Sequence, residues 1–316
     1  MSNSPGQRAW RRFLKNQPAV YSAWFLAALV LIVLGWPVAL RTISAFGTRG
    51  AEFANRHQPD QLSEAQFQPP SARHWFGTDV HGRDLLSRAR YGAQVSLLVG
   101  IVGAGVSLVI GVLWGAIAGY AGGRVDSVMM RFVDVLYSLP SIIFVIVLIT
   151  TLEGVSKNWL AGIGAPRLGN STRLLFLFVG LGAVSWLTMA RIVRGQVLSL
   201  RQRAFVEASR ALGAGPIRIL ARHIIPNTLG IVIVYLTLTV PAIILYESFL
   251  SYLGLGIQPP MASWGSLIAE GADQMNSIRI YWWLIAFPGG LLVTTLLALN
   301  FLGDGLRDAW DVRGRG

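Results

Sequence analysis

EASRALGAGPIRILARHIIP, residues 207–226, is a basic, helix-compatible stretch set between two apolar runs of membrane length. A polar segment in that position must return to water between two crossings of a bilayer. Its mixture of charged and apolar side chains offers a surface to a soluble partner. Reading outward from it, the rest of the chain divides into long apolar runs separated by basic connections, which points to an all-helical integral membrane protein.

Composition supports this. The chain has 316 residues, of which 53% are hydrophobic and 13% charged, against roughly 25% charged in soluble domains. About 20 consecutive apolar residues suffice to cross the hydrocarbon core, and several such runs are present. The net charge is +12, from 27 basic and 15 acidic residues. In a soluble protein that balance would raise nucleic acid as a partner. Here the cations lie between the apolar runs, where membrane lipid and topology account for them and no nucleic acid is implied. The chain has no cysteine, which excludes disulfides, thiolate metal sites and a thiol nucleophile.

Six spans are expected, at 19–40, 95–120, 132–152, 174–190, 229–250 and 280–302. The N-terminal stretch, with Arg8, Arg11, Arg12 and Lys15 ahead of an apolar run from Ala19, resembles a signal peptide. The run to Leu40 is longer than a usual signal core and no small-residue cleavage site follows, so it reads as a retained first span. Pro37, Pro140, Pro241 and Pro288 fall within or beside spans and suggest kinks rather than breaks. Residues 1–18 carry four cations and no acid, which puts the N-terminal tail in the cytoplasm. Counting spans then places 191–228 in the cytoplasm as well, and that loop has seven arginines against one acid, Glu207. The 41–94 segment would lie outside with seven arginines and five acids, and 303–316 would form a cytoplasmic tail. Between them, 95–302 forms a five-helix core. Gly103, Ser107, Gly111, Gly115 and Gly119, each four apart, share a helix face and permit a close backbone approach. That stripe fits packing inside one subunit best, with a subunit interface or pathway wall as the alternatives.

Within 191–228 the residues indicate two short helices. The first, about 201–212, has an apolar set at Phe205, Ala208, Ala211 and Leu212. Gly213, Ala214 and Gly215 break it, and Pro216 suits the first turn of a second helix. The second presents Ile217, Leu220, Ile224 and Ile225 before Pro226 opens the next span. Such a helix pair can occupy a groove in a soluble domain, or lie on lipid headgroups; physics alone leaves both open.

Glu207-Ala208-Ser209, then Gly213, then Ile224-Ile225-Pro226 resembles the EAA loop of ABC-importer permease subunits. Ser209 stands where a second Ala is usual, and Ile225 where Leu is usual. The resemblance extends over HWFGTDVHGRDLLSRARYGAQVSL (74–97), GGRVDSVMMRFVDVLYSLP (122–140), SWLTMARIVRGQVLSL (185–200), ESFLSYLGLGIQPPMASWGSLIAEGA (247–272) and FLGDGLRDAWDVR (301–313). These stretches are similar to the peptide branch of the family, most of all to C-type subunits of oligopeptide permeases. The first span and the region to about 73 match poorly, and 154–173 looks longer than usual.

The resemblance implies a type I importer (MetI-like) permease fold in the bacterial inner membrane. It implies a homologous second permease, two cytoplasmic ATPase subunits that use ATP and Mg, a periplasmic peptide-binding protein and a short-peptide substrate. It makes Phe205, Glu207, Ala208, Ser209, Ala211, Leu212, Gly213, Ala214 and Ile217 the ATPase-coupling residues. Ser185 and Trp186, opening one matched stretch, and Glu247, opening another, are candidate pathway residues.

Other clusters have duller readings beside sharper ones. Asp79, His81 and Asp84 fit no compact metal signature and read as a capped turn. Arg131 and Asp134, three apart, share a helix face and suit a local salt bridge. Glu247 fits a cap for the turn that follows it, or a carboxylate that meets a peptide ammonium in an outer vestibule. The 251–279 segment mixes Gly, Pro and Trp264 and suits a re-entrant or interfacial loop. The only lysines are Lys15 and Lys157, so the phosphate-binding Gly-x-x-x-x-Gly-Lys-Ser/Thr loop is absent. The chain is therefore not the ATPase by that mechanism, and no cofactor is expected on it. No Ser/His/Asp set converges that would support a membrane hydrolase. An ion-gradient-driven secondary transporter is the rival reading, opposed by the scarcity of mid-span charge and of visible repeats.

Overall fold

The computed structural model describes residues 5–45, 47–162, 169–259, 261–275 and 278–310. The regular structure among the described residues is helical, with irregular backbone over 57–84 and one isolated antiparallel bridge there between Thr78 and Asp84. Helix α1 (Pro5–Lys15) is short and basic, and α2 (Gln17–Ser44) is the first long apolar helix. Asn16 separates them by capping α2: its side chain accepts from the Ala19 N–H at 3.3 Å, and Pro18 sits in the first turn. After α3 (Thr48–Arg56) comes α4 (Leu85–Ala121), which begins ten residues earlier than expected. Asp84 starts it there, with Oδ2 accepting the Ser87 N–H at 3.0 Å and the Ser87 hydroxyl at 2.7 Å.

The third span differs from expectation. Helices α5 (Gly123–Ser138) and α6 (Ser141–Gly162) meet at a 95° bend. Leu139 is extended, at φ −80° and ψ 137°. The following Pro140 disfavours helical backbone at its predecessor, so this proline breaks the helix where a kink was expected. Pro37, Pro241 and Pro288 do remain inside helices. Helix α7 (Gly169–Leu200) runs ten residues into the segment read as loop. The long 154–173 stretch lies partly outside the described residues.

The loop itself holds α8 (Ala204–Ala211) and α9 (Pro216–Ile219). A π-helical turn, Leu220–Ile224, leads from α9 into α10 (Ile225–Tyr252) without a gap. The Ile225 N–H donates to the Leu220 carbonyl, five residues back. Pro226 lies in the first turn of α10, and the wider turn before it relieves the clash its ring would impose on the carbonyl four residues earlier. Helix α11 (Trp264–Asp273) spans only about 15 Å, half the hydrocarbon thickness, as a re-entrant or interfacial segment requires. Helix α12 (Trp283–Trp310) continues eight residues past the expected span end. Among the described residues, five helices are long and apolar enough to cross a membrane, and up to six if the bent pair is one span.

The chain divides into two compact units, residues 1–15, 100–243 and 303–316 in the first, and 16–99 and 244–302 in the second. In the first, the glycine stripe of α4 receives α7. A Cβ at Gly111 would lie 2.6 Å from the Met189 Cβ, and one at Gly119 would lie 2.9 Å from the Arg194 carbonyl oxygen. The stripe therefore packs inside this chain. In the second, Leu85, Trp283 and Leu284 form a core flanked by stacked Phe67 and Tyr281, centroids 4.2 Å apart.

Candidate functional site

The 201–225 loop is built on an aliphatic foundation. Val206 of α8, Ile219 of α9 and Ile224 of the π turn are buried against Val112 and Ala116 of α4 and Met189, Val193 and Val197 of α7. Full burial of such a side chain contributes about 1.5–3 kcal/mol, so three anchors hold the loop firmly to two spans. Sequence reasoning missed Val206 and Ile219. Helical spacing grouped Phe205, Ala208 and Leu212 on one face of α8, but the structure turns that face outward and buries its neighbour. The π turn shifts the register by one residue, bringing Ile219 and Ile224 to the same side in place of Ile217. The spacing of those two isoleucines, five apart just ahead of Pro226, was the available signal.

Polar contacts brace the same corner. Arg201 Nη1 donates to the Gly119 and Tyr120 carbonyls at 3.3 and 3.2 Å, at the C-terminal end of α4, where a cation is favoured by the helix dipole. Gly122, at φ +66°, makes room for it, since a Cβ there would lie 2.5 Å from Arg201 Nη1. Arg194 of α7 holds Asp126 of α5 through two bonds of 2.5 and 2.6 Å. Asp134 accepts from Arg191 at 2.6 Å, and the same guanidinium lies 4.2 Å over the Tyr137 ring. The expected Arg131–Asp134 pair is thus replaced by one between helices, because α7 extends far enough to bring Arg191 alongside.

The outward side is different in kind. Phe205, Glu207, Ala208, Ala211, Leu212, Gly213 and Ile217 are exposed, while Ser209 and Ala214 are half-buried. Leu212 and Ile217, which flank the Gly213 turn, are 88% and 83% exposed. Gly213 has φ +82°, a left-handed conformation that glycine adopts without strain at the end of a helix. Ser209 donates to the Phe205 carbonyl at 2.8 Å and its hydroxyl lies 3.4 Å from His223 Nε2. The loop thus has one face locked to the spans and another, rich in apolar groups, left open.

Ser185 is half-buried and donates to the Leu181 carbonyl at 3.2 Å. Trp186 is buried beside Val133, Leu187 and Ala190, its ring 5.2 Å from that of Trp114. Glu247 is fully buried. Its carboxylate accepts from Ser251 Oγ at 2.6 Å and Ser96 Oγ at 3.4 Å. Those hydroxyls in turn accept the Ile257 N–H at 3.0 Å and the Trp264 N–H at 3.2 Å. Glu247 therefore reaches the turn after α10 through Ser251. Asp79 forms the capped turn, accepting from the His81 and Arg83 amides at 2.8 and 3.0 Å, from Arg83 Nε at 2.7 Å and from Arg88 Nη1 at 2.9 Å.

Comparison with known proteins agrees with the resemblance over the later part of the chain and corrects it at the start, since the first span and the residues after it, expected to match poorly, match as well. Binding-protein-dependent transport system inner membrane components match residues 111–315, and the N-terminal transmembrane domain of oligopeptide transport permease C matches residues 4–70. The oligopeptide transport system permease protein OppC of Haemophilus influenzae is 43% identical over 98% of this chain and 89% of its own length. The dipeptide transport system permease protein DppC of Bacillus subtilis is 42% identical over 98% of this chain and 86% of its own. A chain of the inward-facing MetNI methionine ABC transporter superposes with a TM-score of 0.53 at 21% identity, covering 71% of this chain and 97% of that one, which shows a shared fold.

Proposed function

The chain belongs to the family of binding-protein-dependent transport system inner membrane components, and from that premise we infer that it is the membrane-spanning permease subunit of an ATP-driven importer of short peptides. The peptide cargo follows from relatives named for oligopeptide and dipeptide transport that align over nearly the whole chain. Membership favours this reading over an ion-gradient-driven transporter. The protein is a multi-pass component of the bacterial inner membrane, and both termini face the cytoplasm, in keeping with the cations ahead of α2 and in the loop.

The observation that carries the mechanism is the two-sided loop, with Leu212 and Ile217 open to solvent above buried Val206, Ile219 and Ile224. A separate ATPase subunit, using ATP and Mg, seats the exposed face of 201–222 in a groove. When the ATPases close, the buried anchors pass the displacement to α4 and α7, which cannot slip because their glycines and aliphatic side chains interlock. A homologous second permease completes the pathway at a shared axis, with a second ATPase beneath it, and a periplasmic binding protein delivers the peptide. This chain supplies no catalytic group; it converts a partner's hydrolysis into alternating access. Ser185, Trp186 and Glu247 reach the solute only in a state where their helices have parted.

The test is uptake in proteoliposomes containing the partner subunits. Gly213→Val places a branched side chain at positive φ, a strain of about 1–2 kcal/mol, in open space. Glu207→Lys reverses an exposed charge. Both should leave ATP hydrolysis running while uptake falls by about tenfold or more, the equivalent of about 1.4 kcal/mol in coupling. Wild-type uptake in both variants would remove the loop from the mechanism. Uptake sustained by a proton or sodium gradient without ATP would reject the importer reading.

A further inference from the structure

The first helix presents a second surface, unrelated to the coupling loop. With about 100° between successive residues, Trp10, Phe13 and Leu14 fall on one arc of α1 and Arg11, Arg12 and Lys15 on the opposite arc. Residues 5–15 contain no acid. Phe13 is buried and its ring stacks on Trp10 at 5.6 Å, while Trp10 and Leu14 remain 60% and 50% exposed. Arg11 and Lys15 are exposed. One residue, Asn16, then separates α1 from the apolar α2. Chain connectivity therefore holds this helix at the edge of a bilayer, whatever else it meets.

We propose that α1 is an interfacial anchor for anionic lipid, with Trp10 and Leu14 sunk among the acyl chains and Arg11 and Lys15 on the headgroup phosphates. Three observations favour lipid over a protein partner. The helix is one residue from a span, its apolar arc is narrow and bordered by cations on both the Arg11 and Arg12 sides, and Trp at a headgroup boundary matches one polar edge and one apolar body to the two media. A short apolar arc alone gives weak attachment, and a cationic arc alone gives only a screened one. The two together give a stable hold that depends on lipid charge. Placed on the N-terminal side of α2, the anchor fixes the height and rotation of that span in the membrane.

The absence of cysteine in the chain makes single-site spin labelling clean. Full-length protein carrying Leu14→Cys, labelled and placed in nanodiscs, should show a label relaxed by oxygen and shielded from an aqueous nickel chelate when the discs contain phosphatidylglycerol. A label at Arg11→Cys should show the reverse. Each basic residue at a surface of that charge shifts the balance about fivefold. Adding Arg11→Gln and Lys15→Gln to the Leu14→Cys chain should therefore lower the ratio of embedded to aqueous label about 30-fold. Discs of phosphatidylcholine alone should lower it comparably. A label at Leu31→Cys, on the exposed side of α2, should stay embedded throughout and report that the chain remains inserted. The proposal is overturned if the Leu14 label is aqueous in both lipids, or embedded equally in both and indifferent to the two glutamines. It is also overturned if that label becomes shielded only when ATPase subunits are added, which would assign the face to a protein.

Discussion

Two regions of this molecule treat polarity in opposite ways. In the 204–225 loop, the large apolar side chains Leu212 and Ile217 stand in solvent, and Val206, Ile219 and Ile224 lie beneath. Around the start of α4 it is charge that is enclosed. The side chains of Arg88 and Asp79 are 3% and 7% exposed, and Arg88 also binds Glu270 through bonds of 2.5 and 3.0 Å. Glu247 and its serines form a similar closed set. The enclosed charges have partners within the chain, two arginines meeting two acids, so that region is complete by itself. The loop's exposed Leu212 and Ile217 lack such cover in this chain, and under the proposed function an ATPase subunit supplies it. The contrast separates a part that holds shape from a part whose apolar face is open.

The largest effect tests the complete region. Arg88→Met removes the buried cation that Asp79 and Glu270 share, and should cost about 3–5 kcal/mol of stability, read as lost resistance to unfolding in detergent. Arg88→Met combined with Asp79→Leu should recover part of that loss, since the two opposite charges go together and Arg83 and Glu270 remain to pair with each other. A single-variant loss under about 1 kcal/mol would mean water reaches the network, and the contrast would fail at its first half.

Next is the underside of the loop. Ile219→Ala empties a fully buried position in the cluster shared with α4 and α7 and should cost about 2–5 kcal/mol, measured in the same unfolding assay. Uptake should fall with it, because the anchor between loop and spans is loosened. Ile219→Val should cost only about 0.5–1.5 kcal/mol and keep most transport.

The smallest effect on stability carries the sharpest message. Leu212→Ser together with Ile217→Ser should change stability by less than about 0.5 kcal/mol each, yet reduce co-purification of the ATPase subunits and uptake severalfold. Were the double variant as unstable as Ile219→Ala, the exposed face would be a structural one and the distinction drawn here would dissolve.

Local pattern made much of this visible in the chain. The long helices, the basic connection at 191–228, the break at Gly213 and the start at Pro216 all follow from residue types within a turn or two of each other. Where the reading went astray, distant residues decided. Nothing near Asp134 announces Arg191 as its partner. That pairing exists because α7 continues past its expected end and is drawn against α4 by the small residues from Gly103 to Gly119. The bend at Leu139 was signalled by Pro140, yet three other prolines in spans leave their helices whole, so the residue type alone could not rank them.

The sequence by itself determined that this chain is a bundle of membrane helices with a basic loop of permease type, because apolar run length and charge are properties of each segment. Packing between segments then chose which face of that loop is held and which is free. A helix wheel assigns residues to faces, but burial is chosen by whatever packs alongside: here α4 and α7 cover Val206 and Ile219 and leave Phe205, Leu212 and Ile217 in the open.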